Sequence, residues 1–568
     1  IINTPVFYLP YLVTPSPLRK ERKSGFLTPS FNFNFFDTKV SQSTSFPYYF
    51  NIDIDKELTF TPTINYGGGV DSSQRFSFDY NQIISGGNFN FDLTFDSNLE
   101  KEDSDKWLSD ASLITSFSQN LNDKFRINFE SELQTAKDYI QIVDPNSDLS
   151  YKSSLSTKTK LEGYNLYKID DNLSLEFNLY HVNQDQENDN VNPTVIPYLE
   201  YNSGTYIKGN NKYNNKFNFY NIIRDNSSNI HAKGQQKISY TLNTNNEFIS
   251  KNSKINISSE THNQIFNTDK KLITKNNYHS GTYYRFFPIL GISSQVPFKF
   301  KESKYNFTYS PHTMLVLSPG LSNSSKISNE ESSINSFSKD NFSSLNRYTG
   351  SDKLDNSKRL NYGIDMYNEN INISLNQYYE FTKNSNFHKE QGNNDYLSDI
   401  LGNLDYSNNN LKSFYNFRFD TGDNFMKKQN LGLDLPSKVG EVKLSYLDQK
   451  SKTDEIITSD KETFNYEFNS SKILNYSKIN FSGLYDLKKD INSEYTIGYS
   501  YFDECFGINL DFNRKSYKES DLKPQDVLTI MFSFKNIGSY KSTNLLSDSN
   551  DKLDIEWESI SVDNDLFN

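Results

Sequence analysis

Cysteine, alanine and long apolar runs are scarce or lacking in this chain of 568 residues. The one cysteine, Cys505, excludes a disulfide bond within these residues. Alanine, the best helix former, occurs only three times, which argues weakly against helices because a codon bias would have the same effect. No apolar run reaches the roughly 18 residues that a membrane-spanning helix needs. The sequence therefore predicts neither an internal disulfide nor a helix that crosses a membrane.

A net positive charge and the common catalytic motifs are lacking as well. The chain carries 59 Lys and Arg against 71 Asp and Glu, a net charge of −12 with no basic domain, so we expect no nucleic acid as a partner. No GxSxG or HExxH segment occurs, and the six histidines are scattered. We therefore expect no enzyme, catalytic site, cofactor or metal, although a triad assembled from separate strands stays open.

Aromatic residues are abundant and alternate with polar ones. Phe and Tyr number 44 and 39, too many for an ordinary disordered chain. A period of two indicates strands with one apolar and one polar face. Gly, Asn, Asp and Ser clusters lie between the alternating segments and predict turns. Clear examples of the alternation are residues 89–95, 125–129, 173–179, 371–375 and 495–501.

Two architectures fit this alternation. A secreted β-sandwich or solenoid buries its apolar faces, whereas a transmembrane barrel turns them to lipid and lines its lumen with the polar faces. The mean hydropathy of −0.74 favours the barrel, because only half of each strand must be apolar. At roughly 20 residues per strand and connection, residues 24–535 give about 26 strands. We predict an all-β fold, a large closed antiparallel transmembrane β-barrel, with a bulky cargo or a plugged lumen.

Two prolines interrupt the first strands of this barrel. Pro29 stands at the entrance of the alternating residues 24–36, and Pro47 lies inside the next alternating segment. Proline cannot donate a hydrogen bond to a neighbouring strand and normally avoids strand interiors. One interpretation is that Pro29 merely starts a strand and Pro47 marks a bulge.

The start of the chain resembles a known family. The segments "PVFYLPYLVTPSP", "RKSGFLTPSF", "FPYYFNI" and "DKELTFTP" follow one another as they do at the start of the barrel in LptD, the outer-membrane lipopolysaccharide-assembly family. Phe50 stands where that family usually has Trp. A segment near the end of the chain, "YFDECFGINLDFNRK" followed by "FSFKNIGS", is similar to the family's last strands, but only Cys505 remains of its usual cysteine pair.

A middle segment, residues 328–363, resembles the family's PNEDS, R-G-DR and YGL motifs. Ser328 replaces the usual Pro, and Lys353 replaces the usual Arg. The matching residues are Asn329, Glu330, Ser332, Arg347, Gly350, Asp352, Tyr362 and Gly363.

The resemblance implies a translocon in the Gram-negative cell outer membrane that inserts lipopolysaccharide into the outer leaflet. Its lateral gate would lie between the first and last strands, loosened by Pro29 and Pro47. The implied partners are lipopolysaccharide, outer-membrane lipids, an LptE-like lipoprotein in the lumen and a periplasmic Lpt bridge. The alternatives are an outer-membrane nutrient channel, which should carry its own plug domain, and a secreted β-rich adhesin.

The resemblance also implies a division into three parts. Residues 1–23 would be the exit and linker of an N-terminal periplasmic jellyroll, residues 24–538 the barrel, and residues 539–568 a polar tail. The chain begins with Ile, so we expect a trimmed piece. Cys505 could form a disulfide with the jellyroll part, or it is a buried free thiol.

Two charged clusters have competing interpretations. Arg19, Lys20, Arg22 and Lys23 could contact lipid phosphates, but such a run is more often a solvated linker. The carboxylates Glu330, Glu331 and Asp352 could ligate Ca²⁺, but no EF-hand pattern occurs and acidic barrel loops are common, so we assign no metal site.

The pairing of the barrel ends can be predicted too. We expect the strand near Phe31 to lie beside residues 527–534 and to share fewer hydrogen bonds with them than other neighbours share. Leu528, Ile530, Phe532 and Phe534 should face lipid, whereas Thr529 and Ser533 should face the lumen. The tail after Gly538 should lie outside the barrel wall.

Overall fold

The structure is a computed structural model in which most of the described residues lie in strands. Described are residues 22–27, 29–34, 42–67, 70–97, 110–136, 139–143, 147, 149, 152, 154–182, 192–250, 253–274, 277–299, 306–334, 337–384, 387, 395–453, 456–471, 476–503, 506–515, 525–534 and 538–539. The predicted N-terminal linker up to residue 21 and the tail from residue 540 lie outside this description.

The strands follow one another along the chain, and two one-turn helices lie in the connections. The first strands are β1 (Gly25–Phe26), β2 (Ser30–Asn34), β3 (Gln42–Ser45), β4 (Tyr48–Asp53), β5 (Lys56–Gly67), β6 (Val70–Ile84), β7 (Gly87–Ser97), β8 (Asp110–Asn120), β9 (Phe125–Gln134), β10 (Ser154–Tyr164), β11 (Asn172–Val182), β12 (Thr194–Lys208), β13 (Asn211–Ile223), β14 (Gly234–Ser250), β15 (Ser253–Thr274) and β16 (Asn277–Gln295). The later strands are β17 (Phe298–Lys299), β18 (Thr308–Leu317), β19 (Ser333–Ile334), β20 (Tyr348–Thr349), β21 (Lys358–Tyr367), β22 (Ile371–Glu380), β23 (Ile400–Ser407), β24 (Lys412–Asp420), β25 (Phe425–Pro436), β26 (Gly440–Thr453), β27 (Ile456–Ser470), β28 (Ser477–Asp486), β29 (Ile491–Phe502), β30 (Phe506–Lys515), β31 (Gln525–Phe534) and β32 (Gly538–Ser539). The helices are α1 (Tyr139–Val143) and α2 (Lys339–Phe342).

One antiparallel sheet of 30 strands contains all of these except β19 and β20. Each strand pairs with the next one around the sheet, and β2 pairs with β31, so the sheet closes on itself. The short β1 and β3 belong to the same spans as β2 and β4, and β17 and β32 are two-residue pieces. Thirty strands less these four pieces leaves 26 spans, which confirms the predicted barrel.

The two faces of the barrel wall differ in polarity in a way that decides between the two architectures. Along β14, Lys237 and Ser239 are 0% and 2% exposed, whereas Ile238 and Tyr240 are 45% and 41% exposed. The polar side chains therefore point inward and the apolar ones outward, the reverse of a β-sandwich in water. The apolar outer face is the surface that a bilayer would cover.

The two ends of the barrel carry connections of different length. Short turns at residues 54–55, 85–86 and 209–210 lie at the end where Gly25 begins the first span and Phe534 ends the last. The opposite end carries long connections, among them residues 135–153 and 318–357. The described part of the chain contains no helix that is long and apolar enough to cross a bilayer.

The wall of the barrel is uneven in height. The spans opposite the closure are the longest, since β14, β15 and β16 have 17, 22 and 19 residues, whereas β2 has five. One cluster of apolar side chains inside the barrel packs against this tall wall. There Leu345 and Leu354, from the connection at residues 318–357, meet Phe287 and Ile289 of β16 and Val316 of β18.

Candidate functional site

The first and last spans meet at the contact between β2 and β31, which we call the seam, and they pair there over a short distance. Within the described residues, β2 and β31 pair at Asn32–Thr529, Phe33–Leu528 and Asn34–Val527. This confirms the predicted neighbours of the first span. The predicted orientation of the side chains of β31 stays a prediction.

The pairing stops although both strands continue. Continuing the register would place Phe31 opposite Ile530 and Ser30 opposite Met531, but these described residues are not partners across the seam. By contrast, β31 pairs with β30 continuously from Phe506–Phe534 to Lys515–Gln525. In the described part of the chain, the seam is therefore open on the side of the short turns.

Pro29 lies where the first span is interrupted. Gly25 pairs with Tyr49, but Ser30 pairs with Ser45, so five steps along the first span match four along the second. One extra residue is therefore accommodated near Pro29, as in a β-bulge. The bulge proposed for Pro47 is wrong, because the second span pairs with β5 in the same register on both sides of Pro47, from Gln42–Tyr66 to Asn51–Glu57.

Pro47 lies in the second span with its backbone facing the first. The Leu27 N–H donates to the Pro47 carbonyl oxygen at 2.9 Å, and Pro47 has no N–H to return the bond. Its missing donor therefore weakens the support that the second span gives to the first. This geometry agrees with the expected local effect of Pro47, while its role in a gate stays a proposal.

The motif residues of the middle segment lie in one long connection, residues 318–357, which we call the lumenal loop. A first anchor joins this loop to the tall wall. Lys237 of β14 is fully buried, and its Nζ lies 3.0 Å from Asp352 and also contacts Glu331. The Arg224 guanidinium, just beyond β13, pairs with the buried Glu330 carboxylate.

Asp352 joins two parts of the loop to the wall. One carboxylate oxygen accepts a hydrogen bond from the Tyr220 hydroxyl at 2.8 Å. The other oxygen accepts the backbone N–H groups of Glu330 at 2.7 Å and Glu331 at 3.0 Å. A single buried carboxylate thus satisfies donors from the wall and from a distant turn of the loop.

A second anchor holds the other end of the lumenal loop. The Arg347 guanidinium donates to Asp355 at 2.6 and 3.1 Å and to Glu380 of β22 at 2.7 Å. Arg359 of β21 adds a hydrogen bond to Asp355 at 3.0 Å. These side chains are essentially inaccessible to solvent, so the charges compensate one another in a low-dielectric site.

Two further motif residues shape the turns between the anchors. Gly350 has a φ of +70°, and a Cβ there would lie 2.5 Å from the Glu331 carbonyl oxygen, so only glycine fits. The Asn329 side chain donates to the Ser332 carbonyl oxygen at 2.7 Å and accepts the Ser332 N–H at 3.1 Å. Asn329, Glu330, Arg347, Gly350 and Asp352 thus all stabilise the fold of one loop.

Two carboxylates of the lumenal loop, Glu330 and Asp355, are held in the ionised state. Burial would raise the pKa of Glu330, but contacts with His231 and Arg224 outweigh burial and lower that pKa. Burial would also raise the pKa of Asp355, whereas the nearby Arg347 and Arg359 lower it. Both carboxylates therefore stabilise the folded loop as anions.

Glu330→Gln should lower the free energy of unfolding by about 2 kcal/mol at neutral pH, because buried Arg224 loses a charged acceptor. The folded pKa of Glu330 lies below the unfolded value of about 4.3, so the contribution is complete above that value and is lost as the pH falls through the folded pKa. Urea titrations at several pH values should show the two proteins converging in acid.

A matched control is Asp395→Asn, since the Asp395 side chain is 63% exposed and lies 3.9 Å from Lys383. This variant should differ little from the wild type at any pH. A difference for Glu330→Gln that stays constant down to pH about 2 would contradict the assignment of an ionised Glu330.

The partners of the loop carboxylates were missed by the sequence analysis. Tyr220 and Lys237 lie in ordinary alternating strands and Arg224 directly follows β13, so no local signal in the sequence relates them to the loop carboxylates. The ion pairs with Arg224 and Lys237 account for the carboxylates that were weighed as calcium ligands.

Other sequence-predicted residues stand apart from the seam and the loop. Cys505 lies outside the described residues, as do Arg19 and Lys20. Arg22 is exposed and pairs with Glu57 at 2.9 Å, which agrees with a solvated linker.

The fold and the seam define a class of protein. A closed antiparallel barrel with a polar lumen, an apolar outer face, short turns at one end and long connections at the other is an outer-membrane β-barrel protein. In this class the short turns face the periplasm, so Gly25, Phe534 and the open part of the seam lie on the periplasmic side.

The family model for LptD, LPS transport system D, matches residues 111–524, and the chain belongs to this family. The protein is therefore located in the cell outer membrane.

Curated relatives match over shorter stretches. The LPS-assembly protein LptD of a Shewanella species is 37% identical over 86 residues, which are 15% of this chain and 11% of that protein. The LPS-assembly protein LptD of Pseudoalteromonas translucida is 31% identical over 147 residues, 26% of this chain and 18% of that protein. The Vibrio cholerae LPS-assembly protein LptD is 27% identical over 212 residues, 35% of this chain and 24% of that protein. The matched stretches thus span less than two thirds of each relative.

Proposed function

We propose that this barrel inserts lipopolysaccharide into the outer leaflet of the outer membrane through a lateral gate at the seam. The observation that carries the proposal is the end of pairing at Asn32, which leaves the periplasmic part of the seam open. Membership of the LPS transport system D family supports the same cargo. No covalent chemistry is part of this function.

The polarity of the barrel suits an amphipathic cargo. The side chains that point inward from the wall are mostly polar, and such a lumen suits the sugar part. The acyl chains would leave sideways, where few backbone bonds must be broken. Each backbone bond contributes roughly 0.5–1.5 kcal/mol net in water and more in lipid, so a short seam opens more readily than a fully paired one.

The wider assembly is part of the proposal. An LptE-like lipoprotein would occupy the lumen, and a periplasmic Lpt bridge would deliver lipopolysaccharide through a jellyroll that ends in residues 1–23. Residues 24–538 would form the barrel and residues 539–568 a polar tail, with Cys505 available for a disulfide to the jellyroll part. A nutrient channel is less well supported, because conduction through a lumen does not require an unpaired stretch between β2 and β31.

A disulfide across the seam tests the gate. Asn32→Cys with Thr529→Cys, in a Cys505→Ser background, joins partner residues of β2 and β31. When the disulfide has formed in cells, we expect at least about 90% less new lipopolysaccharide at the surface. The covalent bond prevents β2 from separating from β31. Reductant should restore delivery.

The matched control joins two strands of the tall wall. Thr244→Cys with Ser259→Cys links partner residues of β14 and β15, whose hydroxyls lie 2.7 Å apart. This variant should deliver lipopolysaccharide normally when oxidised. Normal delivery by the fully oxidised seam variant would show that the cargo does not leave between β2 and β31.

A further inference from the structure

A third proline continues the pattern of the first two spans. Pro62 lies in the middle of β5, the third span, beside Pro47 of the second and Pro29 of the first. In the described part of the chain, no other three neighbouring spans each contain a proline.

The backbone of Pro62 faces the second span. The Phe46 N–H donates to the Pro62 carbonyl oxygen at 2.9 Å, and Pro62 cannot return a bond to Phe46. The N and carbonyl oxygen of a strand residue point to the same neighbour, so the missing donor of Pro62 is not directed at its other partner, Phe76 of β6. Pro62 therefore weakens only the contact between the second and third spans.

Pro47 repeats this arrangement one span closer to the seam. Leu27 donates to Pro47, and Pro47 returns nothing. Phe46 and Pro47 are adjacent in sequence, so both one-way bonds lie at the same height in the wall. At this height, each of the first two interfaces has one hydrogen bond where an ordinary pair has two.

Below this height, the first span is tied to the second. The Asn51 N–H donates to the Ser24 hydroxyl at 2.9 Å, and the Asn51 side chain donates to the Arg22 carbonyl oxygen at 3.2 Å. The rings of Phe26 and Tyr48 meet edge to face at 4.9 Å. Residues 22–26 and β4 thus form one unit, which we call the periplasmic flap.

Glu57 of β5 holds the periplasmic flap against the third span. Its carboxylate accepts hydrogen bonds from the Tyr49 hydroxyl at 2.9 Å and from Arg22 at 2.9 Å. The Arg22 side chain is 61% exposed, so this ion pair is weak and reversible. The periplasmic flap therefore lies below a line of missing backbone donors, and it is held to the third span by the β4–β5 pairing and by this weak ion pair.

We propose that Pro62 is a third positioning residue of the gate and that the moving part is two spans wide. The periplasmic flap swings away from β5 about the line through Pro47 and Pro62, and this movement draws β2 away from β31. Delivery therefore requires that both the β4–β5 contact and the seam open. This inference rests on the lateral gate proposed above. It locates the hinge between the second and third spans.

Two disulfides between strand pairs of the same geometry test whether the periplasmic flap moves away from β5. Tyr49→Cys with Thr59→Cys joins β4 to β5 below the hinge line, and Ser45→Cys with Thr63→Cys joins β3 to β5 above it. Both are made in a Cys505→Ser background in the full-length protein. When oxidised, the lower disulfide should reduce new surface lipopolysaccharide at least about fivefold, reversibly with reductant, and the upper one should not.

The seam disulfide described above distinguishes the possible failures. If the seam disulfide blocks delivery and the lower disulfide does not, the gate stands and the two-span flap is wrong. If the seam disulfide does not block delivery, the gate itself is wrong, and the flap falls with it. Equal block by the upper and lower disulfides would also overturn the hinge at Pro62.

Pro62→Ala gives a second, milder test. The new N–H can donate to Phe46, and delivery should slow by roughly 2- to 12-fold, the change that corresponds to one net hydrogen bond. Pro311→Ala is the control, because Pro311 accepts a one-way bond from Val296 at 3.1 Å on the far wall. Equal rates for the two variants would contradict a special role of Pro62.

Discussion

Replacing Arg347 by Met should lower the free energy of unfolding of the barrel by about 3–5 kcal/mol. The substitution leaves the buried carboxylates Asp355 and Glu380 without the cation that bridges them at 2.6 and 2.7 Å. The Arg347 guanidinium also lies 4.5 Å from the ring of Phe387, a contact that Met replaces only in part. Denaturant unfolding of the refolded protein in lipid vesicles measures the effect.

An exposed ion pair is the matched control for this effect. Lys254 pairs with Glu247 at 3.2 Å, and the Lys254 side chain is 49% exposed. Lys254→Met should change the free energy of unfolding by less than about 1 kcal/mol. If Arg347→Met were no more harmful than Lys254→Met, the second anchor would not stabilise the lumenal loop.

Restoring the missing backbone donors should slow lipopolysaccharide delivery strongly while leaving the barrel folded. In Pro29→Ala with Pro47→Ala, the new N–H at position 47 faces Leu27, and the interruption near position 29 can close. Two restored bonds correspond to roughly tenfold or more in rate. Sensitivity to large hydrophobic antibiotics should rise, because the outer leaflet would lack lipopolysaccharide.

The control for the proline pair is Pro311→Ala, which restores one donor on the wall opposite the seam. Its lipopolysaccharide delivery and antibiotic sensitivity should match those of the wild type. A structure of the double proline variant with a fully paired seam, together with normal delivery, would exclude the lateral gate.

Local patterns in the sequence were enough to predict the barrel and its closure. Alternation of period two, as in residues 89–95, is a property of the strand itself and identifies β7 without its neighbours. The number of such segments predicts about 26 spans, and the polar face of each one predicts a lumen. The family motifs around Pro29 and Gly350 added the expected cargo and the expected position of a gate, which stay proposals.

Only the tertiary structure decided which groups meet and which way each backbone group faces. Asp352 and Lys237 form their ion pair across 115 positions of sequence, so no local pattern relates them. The one-residue offset near Pro29 exists only as a difference between two registers. Pro62 could weaken the pairing of the third span with the second span or with the fourth, depending on which neighbour its carbonyl oxygen faces. The hydrogen bond from Phe46 shows that it faces the second span.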